Sequence, residues 1–87
     1  MHEAGLMRGL MRRIEAVAAA EGGGRVVGVR VWLGALSHFS PEHFAEHFTE
    51  AAAGTRAEGA RLTCTLSDDT AHPAAQDVLL ESIEVED

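Results

Sequence analysis

The sequence predicts an α+β domain: a small mixed three-stranded sheet with two helices on one face, in the order αβαββ. Three observations lead there. Two stretches repeat their apolar residues at helical spacing, three others alternate apolar with polar residues, and a central strand, helix, strand succession favours a right-handed parallel crossover. The 87 residues make one domain, 1–87, with a thin core. With 46% apolar and 24% charged residues, the composition is that of a folded chain rather than a disordered one.

In EAGLMRGLMRRIEAVAAAE, Leu6, Leu10, Ile14 and Val17 recur at helical spacing, and Met7, Met11 and Ala18 widen the apolar stripe. Arg8, Arg12 and Glu15 fall elsewhere, so the expected helix runs from about residue 3 to about residue 21. The run Gly22 to Gly24 ends it, because glycine supplies the left-handed cap. Next, Val27, Val29, Val31 and Leu33 alternate with Gly28, Arg30 and Trp32, the pattern of a half-buried strand rich in β-branched residues.

A helix start follows at Ser40 (N-cap), Pro41 (first helical position) and Glu42 (first turn). Phe44, Phe48, Ala51 and Ala52 form its inward stripe and Gly54 closes it. Leu62, Cys64 and Leu66 then alternate with Arg61, Thr63 and Thr65, a short strand in which Cys64 is expected to be a buried apolar residue. DDTAHPAAQD is a polar connection in which Asp68 and Asp69 are turn formers. It is short enough for an antiparallel return into VLLESIEVED, a last strand with Leu79, Ile83 and Val85 on the face of Glu81.

Seven basic residues, all Arg, stand against 14 acidic ones, and a net charge of -7 repels phosphate backbones, so no nucleic-acid partner is expected. A single cysteine, Cys64, forms neither an intrachain disulfide nor a Cys-rich zinc site, which fits a reducing cytoplasm. No apolar run approaches the roughly 20 residues of a membrane span, and the start has no signal-peptide pattern. Membrane insertion and secretion are therefore not expected. No nucleophile sits in a catalytic context, and the GGG run lacks the GK[ST] of a phosphate loop, so the chain does not read as an enzyme.

The candidate chemistry lies in histidines. At MHE the amine of Met1, the amide nitrogen of His2 and the His2 imidazole can close adjacent chelate rings, placing three nitrogens in one plane. A fourth donor would complete the square-planar geometry of Ni(II) or Cu(II). Methionine aminopeptidases act poorly before a residue as bulky as His2, so Met1 is expected to stay. The competing reading is a plain helix start in which Glu3 complements the dipole. His43 and His47, at i and i+4 with Glu50 on the same side, put two imidazoles on one helix face beside the Phe44/Phe48 stripe, where they could share a metal; the expected reading is a solvated helix shoulder with adventitious metal affinity. His72 lies in the polar loop beside Pro73.

Several stretches together resemble one family. They are MHE, the amphipathic helix behind it, VWLGALSHFSPE, a helix containing FxxxF, GTRAEGARL, and the terminal LLESIEVED. In register over nearly the whole chain except about residues 67 to 77, they look like the hydrogenase nickel-incorporation family, HypA/HybF. The resemblance implies a nickel metallochaperone that passes Ni(II) toward the [NiFe] hydrogenase large subunit, sometimes urease, with a maturation GTPase as partner. It implies His2 as nickel ligand together with the Met1 amine, and Glu3 as its coupled neighbour. It also implies that the loop holding His38 lies near the metal end, so that His38 becomes a candidate fourth donor.

One departure is large. The family carries a zinc-binding domain with paired CxxC motifs before its last strand, and here loop 67–77 stands in that place, so no structural zinc is expected. Whatever that domain does for partner contact is thereby open. Two readings follow: a Ni(II) carrier acting at Met1 and His2, or a metal-free interaction module assisting hydrogenase assembly. A last strand at a sheet edge would also leave backbone groups for a second copy, a homodimer, although Glu84, Glu86 and Asp87 discourage such pairing.

Overall fold

The computed structural model describes residues 3–86, with side chains from residue 5 onward. The elements are α1 (Glu3–Ala20), β1 (Val26–Leu33), α2 (Pro41–Ala52), β2 (Arg61–Leu66) and β3 (Val78–Val85), the predicted αβαββ order. The sheet order is β2-β1-β3, with β2 parallel and β3 antiparallel to β1. β3 therefore does not return beside β2; it crosses to the far side of β1 and forms an edge.

α1 ends where expected. The Gly23 amide donates to the Ala18 carbonyl at 2.8 Å while Gly22 and Gly23 take φ of 109° and 77°, left-handed values that a side chain would resist. The buried stripe is Met7, Leu10, Ile14 and Ala18. Val17, expected in it, lies one step round the helix and is 39% exposed, and Leu6 is half-buried. In α2 the Ser40 hydroxyl accepts the His43 amide at 3.1 Å, Pro41 opens the helix, and Phe44, Phe48 and Ala52 are buried. Both helices share one core with Val26, Val29, Val31 and Leu33 of β1.

Two irregularities correct the expected strand faces. β1 and β2 pair without interruption from Gly28 opposite Arg61 to Leu33 opposite Leu66. Between Val26 and Gly28, however, the pairing with β3 shifts by one residue, so Val26 is buried and Val27 only half-buried. A second shift lies between Arg30 and Val31, where Ser82 is followed by Leu80 and Glu81 is the extra residue. A one-residue slip exchanges the faces of a strand. Val78 and Leu80 accordingly join Ile83 and Val85 against the core, while Leu79 is 39% exposed.

β2 is the other edge, and there the expected burial holds only in part. Leu62 and Cys64 are half-buried and Leu66 is 53% exposed, because nothing flanks this strand on its open side. Burial still pushes the Cys64 thiol up from its ordinary value. On the sheet surface an Arg61–Glu84 ion pair of 2.9 Å links the two edge strands across Gly28.

Loop 67–77 is fastened rather than loose. Ser67 N–H donates to the Leu33 carbonyl, Gly34 N–H to Asp77, and Leu36 N–H to Ala75, at 2.9, 2.9 and 2.7 Å. Ala75 is buried, and its carbonyl passes so close to Gly34 that no Cβ would fit there. Asp69 caps its own turn by accepting the Ala71 amide at 3.0 Å, the turn-forming role expected of it. Among the described residues no helix is long and apolar enough to cross a membrane.

Candidate metal centre

Met1, His2 and the side chain of Glu3 lie outside the described residues, so the end of the molecule where α1 begins is defined by what surrounds its first turns. α1 and α2 run side by side in the same direction. At their far ends Arg56, just beyond α2, pairs with Glu15 at 2.7 Å. At their near ends Leu6 shares a cleft with Leu36, Ser37, His38 and Phe39, and Met7 and Met11 share a groove with His47 and Glu50. The loop after β1, the start of α2 and the start of α1 thus meet at one end.

His38 reaches this end by an unusual backbone. Its φ is 67°, the left-handed region, and it is the single non-glycine residue with positive φ among the described residues. That conformation costs an L-residue about 1–2 kcal/mol, with histidine among the residues that tolerate it better. The chain is held in it from both sides. The Gly34 and Leu36 amides are tied to residues 77 and 75, Ser37 N–H donates to the Gly34 carbonyl at 3.0 Å, and Ser40 caps α2. The result is an exposed imidazole on a fixed loop in the cleft that Leu6 lines. In the same cleft the buried Ser37 hydroxyl has no hydrogen-bond partner among the described residues. Such an orphan is costly unless a group from outside engages it.

His43 and His47 meet as the spacing predicts. Their Nε2 atoms are 2.9 Å apart and their ring centroids 4.6 Å apart. Phe39, itself buried, lies against both rings, with centroid distances of 5.8 and 6.4 Å. Glu50 lines the groove with His47, so it shares the helix side predicted for it. His72 is not part of this group. Its ring lies tilted against Trp32 with centroids 4.8 Å apart, and its Nδ1 accepts the Ala74 amide at 2.9 Å. That contact joins residues 40 positions apart across a loop, so no local pattern announces it. Among the described residues no three His, Cys, Asp or Glu side chains gather closely enough to hold a metal ion.

Three histidines lie at one end of a small α+β frame, two paired and one on a strained loop, as separate candidate metal donors. Comparison with known proteins gives the frame a family. Residues 1–73 match the family described as hydrogenase/urease nickel incorporation, metallochaperone, HypA. The chain is 39% identical over 62 residues to the hydrogenase maturation factor HypA of Chlorobium limicola, a stretch covering 71% of this chain and 53% of that protein. The chain thus spans about half the length of that relative. It belongs to the HypA family. The family match stops within loop 67–77, so β3 and the resemblance read in LLESIEVED lie beyond it.

Proposed function

We propose that this domain binds Ni(II) as cargo at its N-terminus and hands it on during maturation of a [NiFe] hydrogenase, with urease as a second recipient. The observation that carries the reading is that the family match begins at residue 1 and so includes MHE. The Met1 amine, the His2 amide nitrogen and the His2 imidazole supply three planar donors, with Glu3 as their neighbour. His38 supplies the fourth. Its support is the cleft shared with Leu6, one turn into α1, and the strained backbone that holds the loop there. Strain of this kind gathers at functional positions because only a constrained surrounding sustains it.

Loading is pH-dependent, since amine and imidazole must give up protons before they bind the ion. An open site of four small donors also suits a carrier, which has to let its cargo go. Transfer to a maturation GTPase and then to the hydrogenase large subunit completes the reading, with loop 67–77 in place of the zinc-binding insertion and no structural zinc, because one half-buried cysteine does not make a thiolate site.

Calorimetric titration with Ni(II) tests the proposal. The native chain is expected to bind one equivalent that depends on the N-terminus. His2→Ala and a form with one extra residue before Met1 lose it while remaining folded by circular dichroism. His38→Gly removes the imidazole and relieves the left-handed strain, so it should weaken nickel binding without destabilising the fold. Stoichiometry and affinity unchanged by both N-terminal changes contradict the proposal, and no binding by the native chain favours the interaction-module reading.

A further inference from the structure

We infer that His43 and His47 form a second metal site, a two-imidazole clamp for a divalent first-row ion that works without the N-terminal amine. The proposal above does not use these residues. Two metal–imidazole bonds of about 2.0–2.1 Å meeting at a right angle span about 2.9 Å between their nitrogens. The Nε2 atoms of His43 and His47 stand 2.9 Å apart in a hydrogen bond, so an ion would take the place of the proton they share. Binding an ion through both Nε2 atoms requires each ring to carry its proton on Nδ1.

The pair is also held in place by its surroundings. The two residues are one turn apart in a regular helix whose N-cap is satisfied, so their Cβ atoms are fixed relative to one another. The rings are then flanked by Phe39, a buried side chain that limits the rotamers each imidazole samples. A clamp assembled before the ion arrives loses less side-chain entropy on binding it.

His43 is exposed and His47 half-buried, so an ion reaches the pair from solvent. The pair supplies two protein donors to the ion. Glu50, three residues beyond His47 and lining the same groove, adds negative charge on that side. Such a site exchanges its ion readily. It also stands at the end of the molecule where α1 begins, close to where cargo would be taken up or surrendered.

The test uses the full chain with one residue added before Met1 and His2→Ala, which removes the N-terminal chelate and changes no residue of α2. Ni(II) is the probe, read by calorimetry and by paramagnetic broadening of histidine ring signals in NMR. The inference predicts one equivalent bound, with His43 and His47 broadened first and His72 unaffected. His43→Ala and His47→Ala, made separately in that background, should each weaken binding about tenfold or more, because either change turns a chelate into a single donor. Pairing His47→Ala with Ala45→His keeps the histidine count but moves the second imidazole off the i+4 position, and it should not restore binding. Overturning results are affinity no greater than that of the single-histidine variants, broadening centred on another histidine, or recovery by the displaced histidine. Because the N-terminal chelate is already disabled, failure here leaves the N-terminal proposal standing, and the reverse also holds.

Discussion

The two long sides of β1 are built differently. Toward β2 the pairing is parallel, unbroken for six residues and bridged by the capped helix α2. Toward β3 it is antiparallel, slips twice, and is reached through a loop sewn to the end of β1 by three backbone hydrogen bonds. The regular side carries the paired histidines and lies wholly within the family match. The irregular side lies mostly beyond it. The difference teaches where this frame tolerates change: side-chain placement is rigid where a helix and an unbroken register set it, and a connection of another length is absorbed where bulges set it.

The comparison is broken most severely from the regular side. Phe44 is fully buried beneath α2, and Phe44→Ala should cost about 3–5 kcal/mol. A domain of this size holds only about 5–15 kcal/mol in all, so urea denaturation should find the variant barely folded. A near-normal midpoint would mean that α2 is not the support of this half.

The irregular side is tested at its seam. Gly34→Ala drives a methyl into the Ala75 carbonyl and should cost about 1–3 kcal/mol, the usual range for overpacking. Hydrogen exchange should quicken at the Leu36 and Ser67 amides first, leaving the amides of α2 protected. Uniform loss of protection across both halves would show that the two sides do not differ as described.

The smallest effect is expected at the β2 edge. Burial raises the Cys64 thiol, so the folded state favours the neutral form. Its contribution to stability is complete below the unfolded thiol's range and disappears as pH rises through the raised folded value. Unfolding curves across the alkaline range should show a shallow decline that Cys64→Ala lacks. Equal slopes in the two proteins would place the thiol in water.

Much of the frame is legible in the sequence because local chemistry and packing agree. Ser40, Pro41 and Gly23 mark helix ends by backbone rules that no distant contact overrides, and Phe44 and Phe48 declare a buried face by spacing alone. What escapes is set from a distance. Alternation assumes no slip and so puts Leu79 and Val27 in the core, whereas the two shifts that turn them away depend on the partner strand. The partial exposure of Cys64 reflects an edge position that only the sheet order reveals. Within the candidate site, the His43/His47 pair follows from helical spacing, whereas the left-handed backbone of His38 and the orphaned Ser37 hydroxyl follow from how loop 67–77 ties down the end of β1.

The central claim is that the N-terminal nitrogens hold nickel in a plane, and the electronic state of the bound ion reports this directly. Square-planar Ni(II) is diamagnetic, whereas Ni(II) held by two imidazoles and water is six-coordinate and paramagnetic. With one equivalent of Ni(II) bound to the native chain, magnetic susceptibility in solution should show a diamagnetic ion, and one residue added before Met1 should abolish that state. A paramagnetic ion in the native chain, or a diamagnetic one indifferent to the added residue, would contradict it.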